Sequence, residues 1–147
     1  MRKEGIIKLS DRSILKLSIM IIDAKEVGFS PFGGVNIAVK PIGGVAPLEV
    51  PETVKELVKD KPLASPELPQ DGWELIDIID HEPAIDEYEV YTSKGKFKVT
   101  VEAEPVMAAR NINYKSGADE PIYWLNWVYK ISWKPVKEQG ELEPQER

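Results

Sequence analysis

The run of residues 121–134 has an unbroken two-residue alternation, which constrains the fold more than any other part of the chain. One alternate set consists of large apolar side chains: Tyr123, Leu125, Trp127, Tyr129, Ile131 and Trp133. The other set begins at Trp124 and becomes polar and basic toward Lys134. Aromatic and β-branched residues favour strands, and a helix would scatter these rings around its circumference. The pattern predicts one long strand that is central to the core.

Length and composition limit the class of protein. At 147 residues the chain fits one domain, which we expect to span residues 1–136, and the polar residues 137–147 predict a disordered acidic tail. The absence of cysteine excludes thiol catalysis and thiolate metal sites. Abundant lysine and glutamate without cysteine are typical of proteins from hot environments. No apolar run approaches the roughly 20 residues of a membrane-spanning helix, so the expected location is cytoplasmic.

Two further strands are predicted in the first third of the chain. From Ser13, alternate apolar residues indicate a strand with two largely apolar faces, which favours a position inside a sheet. Residues 35–40 form a second strand, and the short connection predicts antiparallel pairing. The sequence Pro-x-Gly-Gly-Val occurs at 31–35 and again at 41–45, and we interpret both copies as turns that bracket this strand.

The middle of the chain holds the only convincing helix, at about 51–60, where Pro51 suits the first turn and Val54, Leu57 and Val58 form an apolar stripe. The proline-rich segment that follows contains Pro66-Glu67-Leu68-Pro69, a PxxP match too short to indicate a partner. Residues 72–80 fit helix or strand, and their length favours a strand.

Residues 86–93 and 96–103 predict a β-hairpin. A two-residue turn at Lys94-Gly95 would place Val90 opposite Val99, so that apolar side chains face one another throughout. Residues 104–113 fit a short helix or an irregular strand. Together these elements predict a β-dominated α+β fold, with a mostly antiparallel, curled or barrel-like sheet of six to seven strands and one short helix.

Catalytic and metal sites have little support in the sequence. His81 is the only histidine, and no serine lies in a nucleophile-elbow motif. Acidic residues crowd the stretch from Asp77 to Glu89, and oxygen-rich clusters suit Mg²⁺ or Mn²⁺. The candidate metal ligands are Asp77, Asp80, His81 and Glu82; the alternative is that these side chains form the solvated rim of a turn.

Aromatic and basic residues supply candidate binding sites. Phe29 and Phe32 lie in a glycine-rich loop, where they either cap one end of the sheet or contact a partner. A sheet face that carries aromatic rings and lysines is also how small barrels bind single-stranded nucleic acid. The candidates for that face are Tyr91, Lys96, Lys98, Trp124, Lys130 and Lys134. The net charge of −6 disfavours nucleic acid as a partner.

The leading hypothesis is a non-enzymatic binding or assembly module that acts through protein–protein contacts, either with another protein or by self-association. It follows from the missing catalytic motifs and from the surplus of aromatic residues on the final strand. A nucleic-acid-binding β-barrel domain and a divalent-metal-dependent enzyme are the alternatives. Under the leading hypothesis we expect no cofactor and no membrane partner.

Overall fold

Eight strands and one short helical segment form the part of the chain that the structure describes. The structure is a computed structural model, and it describes residues 2–29 and 34–137, apart from the side chain of Phe29. The strands are β1 (Gly5–Leu9), β2 (Ile14–Phe29), β3 (Val35–Glu49), β4 (Trp73–Ile76), β5 (Ile78–Glu82), β6 (Ala84–Thr92), β7 (Gly95–Asn111) and β8 (Ile122–Pro135). The helix α1 (Glu52–Lys55) continues into a 3-10 turn at Glu56–Val58. The expected β-dominated α+β fold is confirmed.

The strands form two antiparallel four-stranded sheets that do not close into a barrel. In the first sheet the order is β3-β2-β1-β5, so β2 lies inside the sheet as predicted. In the second sheet β7 is the central strand. β8 pairs with one side of β7, and β6 and β4 pair with successive parts of its other side. The curled, antiparallel architecture is confirmed, with eight strands in two sheets instead of six to seven in one.

The chain changes sheets on either side of β5. β4 and β6 pair with β7 in the second sheet, whereas β5 pairs with β1 in the first. Pro83 occupies the second crossing, where a residue without an N–H group costs no ladder hydrogen bond. At the first crossing the Asp77 carbonyl accepts a hydrogen bond from the Ser10 N–H group (2.9 Å). Residues 72–80 therefore contain strand, as predicted, but divided between two sheets.

One core takes side chains from both sheets. Its fully buried members are Ile7, Leu9, Leu15, Leu17, Ala84, Val99, Val101 and Ala103. The opposite face of β2 is open, since Met20 and Ile22 are 42% and 46% exposed. β2 therefore lies between two other strands of its sheet, although only one of its faces is buried.

β8 confirms the predicted long strand. On its inner face Tyr123 and Leu125 are buried, and the burial decreases along the strand until Ile131 is 40% exposed. Its pairing runs the length of β7, from Asn111 opposite Ile122 to Phe97 opposite Pro135. β8 contributes to the core but lies at an edge of its sheet. The alternation of a strand shows which of its faces is buried, but it does not show the position of the strand within the sheet.

β3 is longer than predicted and meets β8 at a glycine. The second glycine repeat, residues 41–45, lies within β3 and pairs with β2, so its interpretation as a turn is wrong. A Cβ atom at Gly43 would lie 2.9 Å from Trp127 Cζ2 and 3.0 Å from the Tyr129 hydroxyl. Glycine serves here for close approach of a backbone to packed rings.

The predicted hairpin is present with a two-residue turn, but its register is shifted. Thr92 pairs with Gly95, so the turn is Ser93-Lys94, and Val90 lies opposite Phe97 instead of Val99. Gly95 has φ +103°, a conformation that favours glycine. The shift of two residues keeps the same faces together, which is why the apolar pattern fits both registers.

The helical segment is shorter than predicted, residues 52–58 instead of 51–60. Val54 and Val58 are buried, whereas Leu57 of the predicted stripe is 42% exposed. Residues 104–111 continue β7 as a strand with a register shift between Pro105 and Met107. Within the described residues, no helix is long and apolar enough to cross a membrane. Most of the predicted tail, residues 138–147, lies outside the described residues.

Candidate functional site

A row of three side chains across the second sheet forms an apolar hollow. Leu75 on β4 pairs with Ala109 on β7, and Ala109 pairs with Trp124 on β8. Neighbouring strands lie about 4.8 Å apart, so the two large side chains stand about 10 Å apart with only the Ala109 methyl between them. The hollow of about 320 Å³, here named the apolar groove, is lined by Leu68, Pro69, Trp73, Leu75, Ala109 and Trp124.

The loop before β4 forms the remaining wall, and hydrogen bonds hold it in place. Trp73 donates its indole Nε1–H to the Pro69 carbonyl (2.8 Å), and Asn111 donates its side-chain amide to the Asp71 carbonyl (2.9 Å). Gly72 lies between these anchors with φ +88°, and a Cβ atom there would collide with the Asn113 side-chain amide. The groove is therefore formed by the fold before any ligand binds, which lowers the entropic cost of binding.

The side chains around the groove are unusually exposed for apolar residues. Leu68 is 61% exposed, Leu75 is 73% exposed and Trp124 is 37% exposed. Leu75 also lines an adjoining hollow with Val106 and Met107, which are themselves exposed. Single exposed apolar side chains are common, but a continuous strip of them is typical of an interaction surface.

A larger hollow, of about 420 Å³, lies beside α1 and has a different character. Its lining is almost entirely charged: Glu52, Lys55, Glu56, Lys59, Lys115, Ala118 and Asp119. Acidic and basic side chains both line it, and Lys115 Nζ lies 3.6 Å from Asp119 Oδ1. Mixed charges at a solvated surface favour neither an anion nor a cation, so size alone does not make this hollow the functional site.

The structure separates the residues predicted to bind nucleic acid. Tyr91 pairs with Lys96 near the start of β7, whereas Trp124 pairs with Ala109 near its end. At about 3.3 Å per residue the two positions are about 40 Å apart along the strand. Lys130 lies between these ends and Lys134 lies opposite Lys98 at the Tyr91 end. The two aromatic rings therefore do not form one stacking surface.

Glutamate side chains compensate the lysines of this face. The ion pairs are Lys96 with Glu89 (2.9 Å), Lys98 with Glu87 (3.8 Å) and Lys130 with Glu104 (2.9 Å). The hydrogen bond from Lys130 to Glu104 raises the pKa of that lysine. Lys96 Nζ also lies 5.7 Å from the centre of the Tyr91 ring. Because three of the four candidate lysines on this face are already paired, the face offers little net charge to a phosphate backbone.

The predicted metal ligands do not converge. Asp77, Asp80, His81 and Glu82 are all exposed on or beside β5, the edge strand of the first sheet. Asp80 Oδ1 accepts the His81 N–H group (2.9 Å), and Glu82 lies 3.4 Å from Lys3 Nζ. Over residues 2–29 and 34–137, no group of three or more acidic or histidine side chains is arranged to hold a metal ion.

The two predicted loop aromatics are not placed by the structure. Phe32 and the side chain of Phe29 lie outside the described residues, and the Phe29 backbone ends β2. Their predicted role at the end of the sheet stays a prediction.

A polar network around the buried residues Ser13 and Tyr123 joins both sheets near the start of β8. Tyr123 donates its hydroxyl hydrogen to Asp11 Oδ2 (2.7 Å), and its oxygen lies 2.7 Å from Ser13 Oγ. Arg110 donates to Asp11 (3.0 Å) and to Glu74 (2.9 Å). Burial raises the pKa of Tyr123, and the adjacent Asp11 carboxylate raises it further. Ser13 is fully buried, so the network ties elements together and offers no nucleophile to a substrate.

Comparisons of the chain with protein-family models, curated proteins and solved structures find no match. Function is therefore inferred from the geometry of the chain itself. Of the groove residues, only Trp124 was predicted from the sequence as a binding candidate. Trp73 and Leu75 flank Glu74, and this alternation was the available signal that both belong to one face of a strand.

Proposed function

We propose that this chain is a non-enzymatic binding or assembly module that makes protein–protein contacts through the apolar groove. The observation that carries the proposal is the pre-formed hollow between Trp73, Trp124 and the exposed Leu75. Tryptophan is enriched among the residues that dominate binding energy, because it offers a large rigid surface. A partner that covers this groove would remove apolar surface from water at about 25 cal/mol per Å².

The chemistry of the groove supports binding and not catalysis. None of its six lining residues has a side chain that serves as a general acid, general base or nucleophile. Its volume of about 320 Å³ is at the small end of ligand pockets and suits one or two side chains of a protein partner. Binding of such an anchor, surrounded by a wider contact, is how protein interfaces concentrate their energy.

The test compares two exposed leucines. Leu75→Asp places a charge at the groove, while Leu48→Asp is the matched control, since Leu48 is 56% exposed on β3 in the other sheet. Sedimentation over about a hundredfold range of concentration measures self-association. If the wild-type chain is monomeric, binding of another protein is measured by affinity capture from its native host. The wild type, Leu75→Asp and Leu48→Asp each serve as bait. Circular dichroism checks that both variants fold.

We expect Leu75→Asp to abolish dimerisation, or to lose a partner that the wild type and Leu48→Asp both retain. A charge buried at the centre of an interface costs several kcal/mol, enough to lower affinity more than a hundredfold. If Leu75→Asp self-associates to the same extent as the wild type and loses no partner that the wild type retains, the proposal is wrong.

A further inference from the structure

The charges beside the apolar groove point to the chemistry of its occupant. We infer that the occupant is a basic protein segment, which places one apolar side chain in the groove and lysine or arginine side chains next to it. This inference rests on the proposed function and adds to it the charge of the partner.

Acidic residues alternate along the chain with the residues that line the groove. Glu67 precedes Leu68, and Asp71 lies between Pro69 and Trp73; both acids are exposed. Asp77 lines the adjoining hollow that shares Leu75 with the groove. Residues 62–93, which include β4 and the loop before it, contain no lysine or arginine. The side of the apolar strip that β4 and the loop before it form therefore carries acidic residues and no basic residue.

These carboxylates are available to a partner. Among the described residues, the ion pairs of the chain involve none of Glu67, Asp71 and Asp77. The nearest basic residue along β7 is Arg110, and its guanidinium is already paired with Asp11 and Glu74. Opposite charges brought within about 4 Å of each other near a protein surface attract.

Charge complementarity separates the basic segment from other occupants. A nucleic-acid backbone would meet the three carboxylates with like charge. Residues 138–147 of this chain are richer in glutamate than in arginine, and a second copy carries the same net charge of −6. Each of these occupants would bring negative charge to an acidic border, whereas a lysine-rich or arginine-rich segment would pair with it.

Three synthetic peptides test the inference. They have equal length and one central leucine, flanked on both sides by lysine, by serine or by glutamate, and they carry a fluorescein label for anisotropy titration of the wild-type chain. At about 50 mM salt we expect the lysine peptide to bind about tenfold tighter than the serine peptide, and the glutamate peptide to bind weakest. The preference for lysine should be largely lost at about 500 mM salt because exposed charges are screened.

Protein variants show whether the preference belongs to the groove. Neutralising the border with Glu67→Gln, Asp71→Asn and Asp77→Asn should reduce binding of the lysine peptide to the level of the serine peptide. A control with the same change of net charge, Asp23→Asn, Asp60→Asn and Glu102→Gln, should leave the preference intact. Trp124→Ala, which removes one wall of the groove, should weaken the lysine and serine peptides alike.

The outcomes distinguish this inference from the proposed function. Equal affinity for the lysine and serine peptides, with both dependent on Trp124, would overturn the inference that the partner is basic. The proposal that the groove binds protein would still hold. Equal loss in the border and control variants would also overturn it, since general charge would then explain the preference. If no peptide bound in a Trp124-dependent manner, the side-chain anchor of the proposed function would fail together with the inference.

Discussion

The hydroxyl oxygen of Tyr123 lies 2.7 Å from Asp11 Oδ2, and this hydrogen bond joins the turn between β1 and β2 to the start of β8. The same carboxylate accepts the Ser13 N–H group (2.8 Å) and the Arg110 guanidinium (3.0 Å). One acidic side chain thereby connects the first sheet to both long strands of the second. Charge-assisted hydrogen bonds of this kind are stronger than neutral ones, and their loss inside a protein leaves polar groups unsatisfied.

Tyr123→Phe should lower the free energy of unfolding by about 1–2 kcal/mol, because Asp11 and the buried Ser13 hydroxyl each lose a partner. Urea unfolding measures the change. Tyr91→Phe is the matched control, since that ring is 78% exposed, and it should change stability by less than about 0.5 kcal/mol. Equal changes in the free energy of unfolding would show that the Tyr123 hydroxyl stabilises the fold no more than an exposed tyrosine hydroxyl does.

The same hydroxyl predicts a loss of stability in alkali. Burial raises the pKa of Tyr123 above its ordinary value of about 10, so the unfolded chain releases this proton before the folded chain does. Its contribution to stability is complete below about pH 10 and falls as the pH rises toward the folded pKa. Unfolding measured between about pH 8 and pH 11 should show this fall in the wild type, and a smaller one in Tyr123→Phe. If the free energy of unfolding fell equally with pH in the two proteins, this prediction would be contradicted.

Gly43 and Gly44 form a natural pair of test positions. A methyl group at Gly43 would enter the space of Trp127, Tyr129 and Ile19, whereas nothing lies within 4 Å of a methyl group at Gly44. Gly43→Ala should therefore destabilise the protein by about 1–3 kcal/mol. Gly44→Ala should be neutral or slightly stabilising, because alanine restricts the unfolded chain. Thermal unfolding of the two variants compares them directly, and equal melting temperatures would contradict the close packing of β3 on β8.

Glu26 anchors the hairpin turn between β6 and β7. Its two carboxylate oxygens accept the Ser93 N–H group and the Ser93 hydroxyl, each at 2.7 Å, and the hydrogen bond from the Ser93 N–H group contributes most to lowering the pKa of Glu26. The anchor is complete above the ordinary pKa of 4.5 and is lost as the pH falls through the lower folded value. The Ser93 amide resonance should follow this titration in the wild type and not in Glu26→Gln. A Ser93 amide without any titration below pH 4.5 would exclude the anchor.

Local pattern predicted the faces of the strands better than their partners. The alternation in β8 correctly identified Tyr123 and Leu125 as buried, because a strand shows its two faces in every second residue. It did not reveal that β8 lies at a sheet edge. The hairpin register was wrong for the same reason, since Val90 opposite Phe97 satisfies the alternation as well as Val90 opposite Val99.

The groove was beyond prediction from the sequence because residues far apart in the chain create it. Leu68, Leu75, Ala109 and Trp124 come from a loop and three strands, and their meeting depends on the register of β7 with both neighbours. The small side chain of Ala109 predicts no hollow from the sequence, because its pairing with Leu75 and Trp124 is known only from the structure. Trp124 was named as a candidate because it is an aromatic residue on the more polar face of its strand, and the structure gives it different neighbours from those expected.

Site-specific photo-crosslinking inside the native host tests most directly whether the groove is a protein-binding surface. A photoreactive phenylalanine analogue replaces Leu75 in one version of the chain and Leu48, which is also more than half exposed, in another, and the adducts are identified by mass spectrometry. We predict a discrete protein adduct from position 75 that is absent from position 48 and is lost when Trp124→Ala is added. The contrary result is the absence of a protein adduct at position 75, or the same adducts at both positions with no dependence on Trp124.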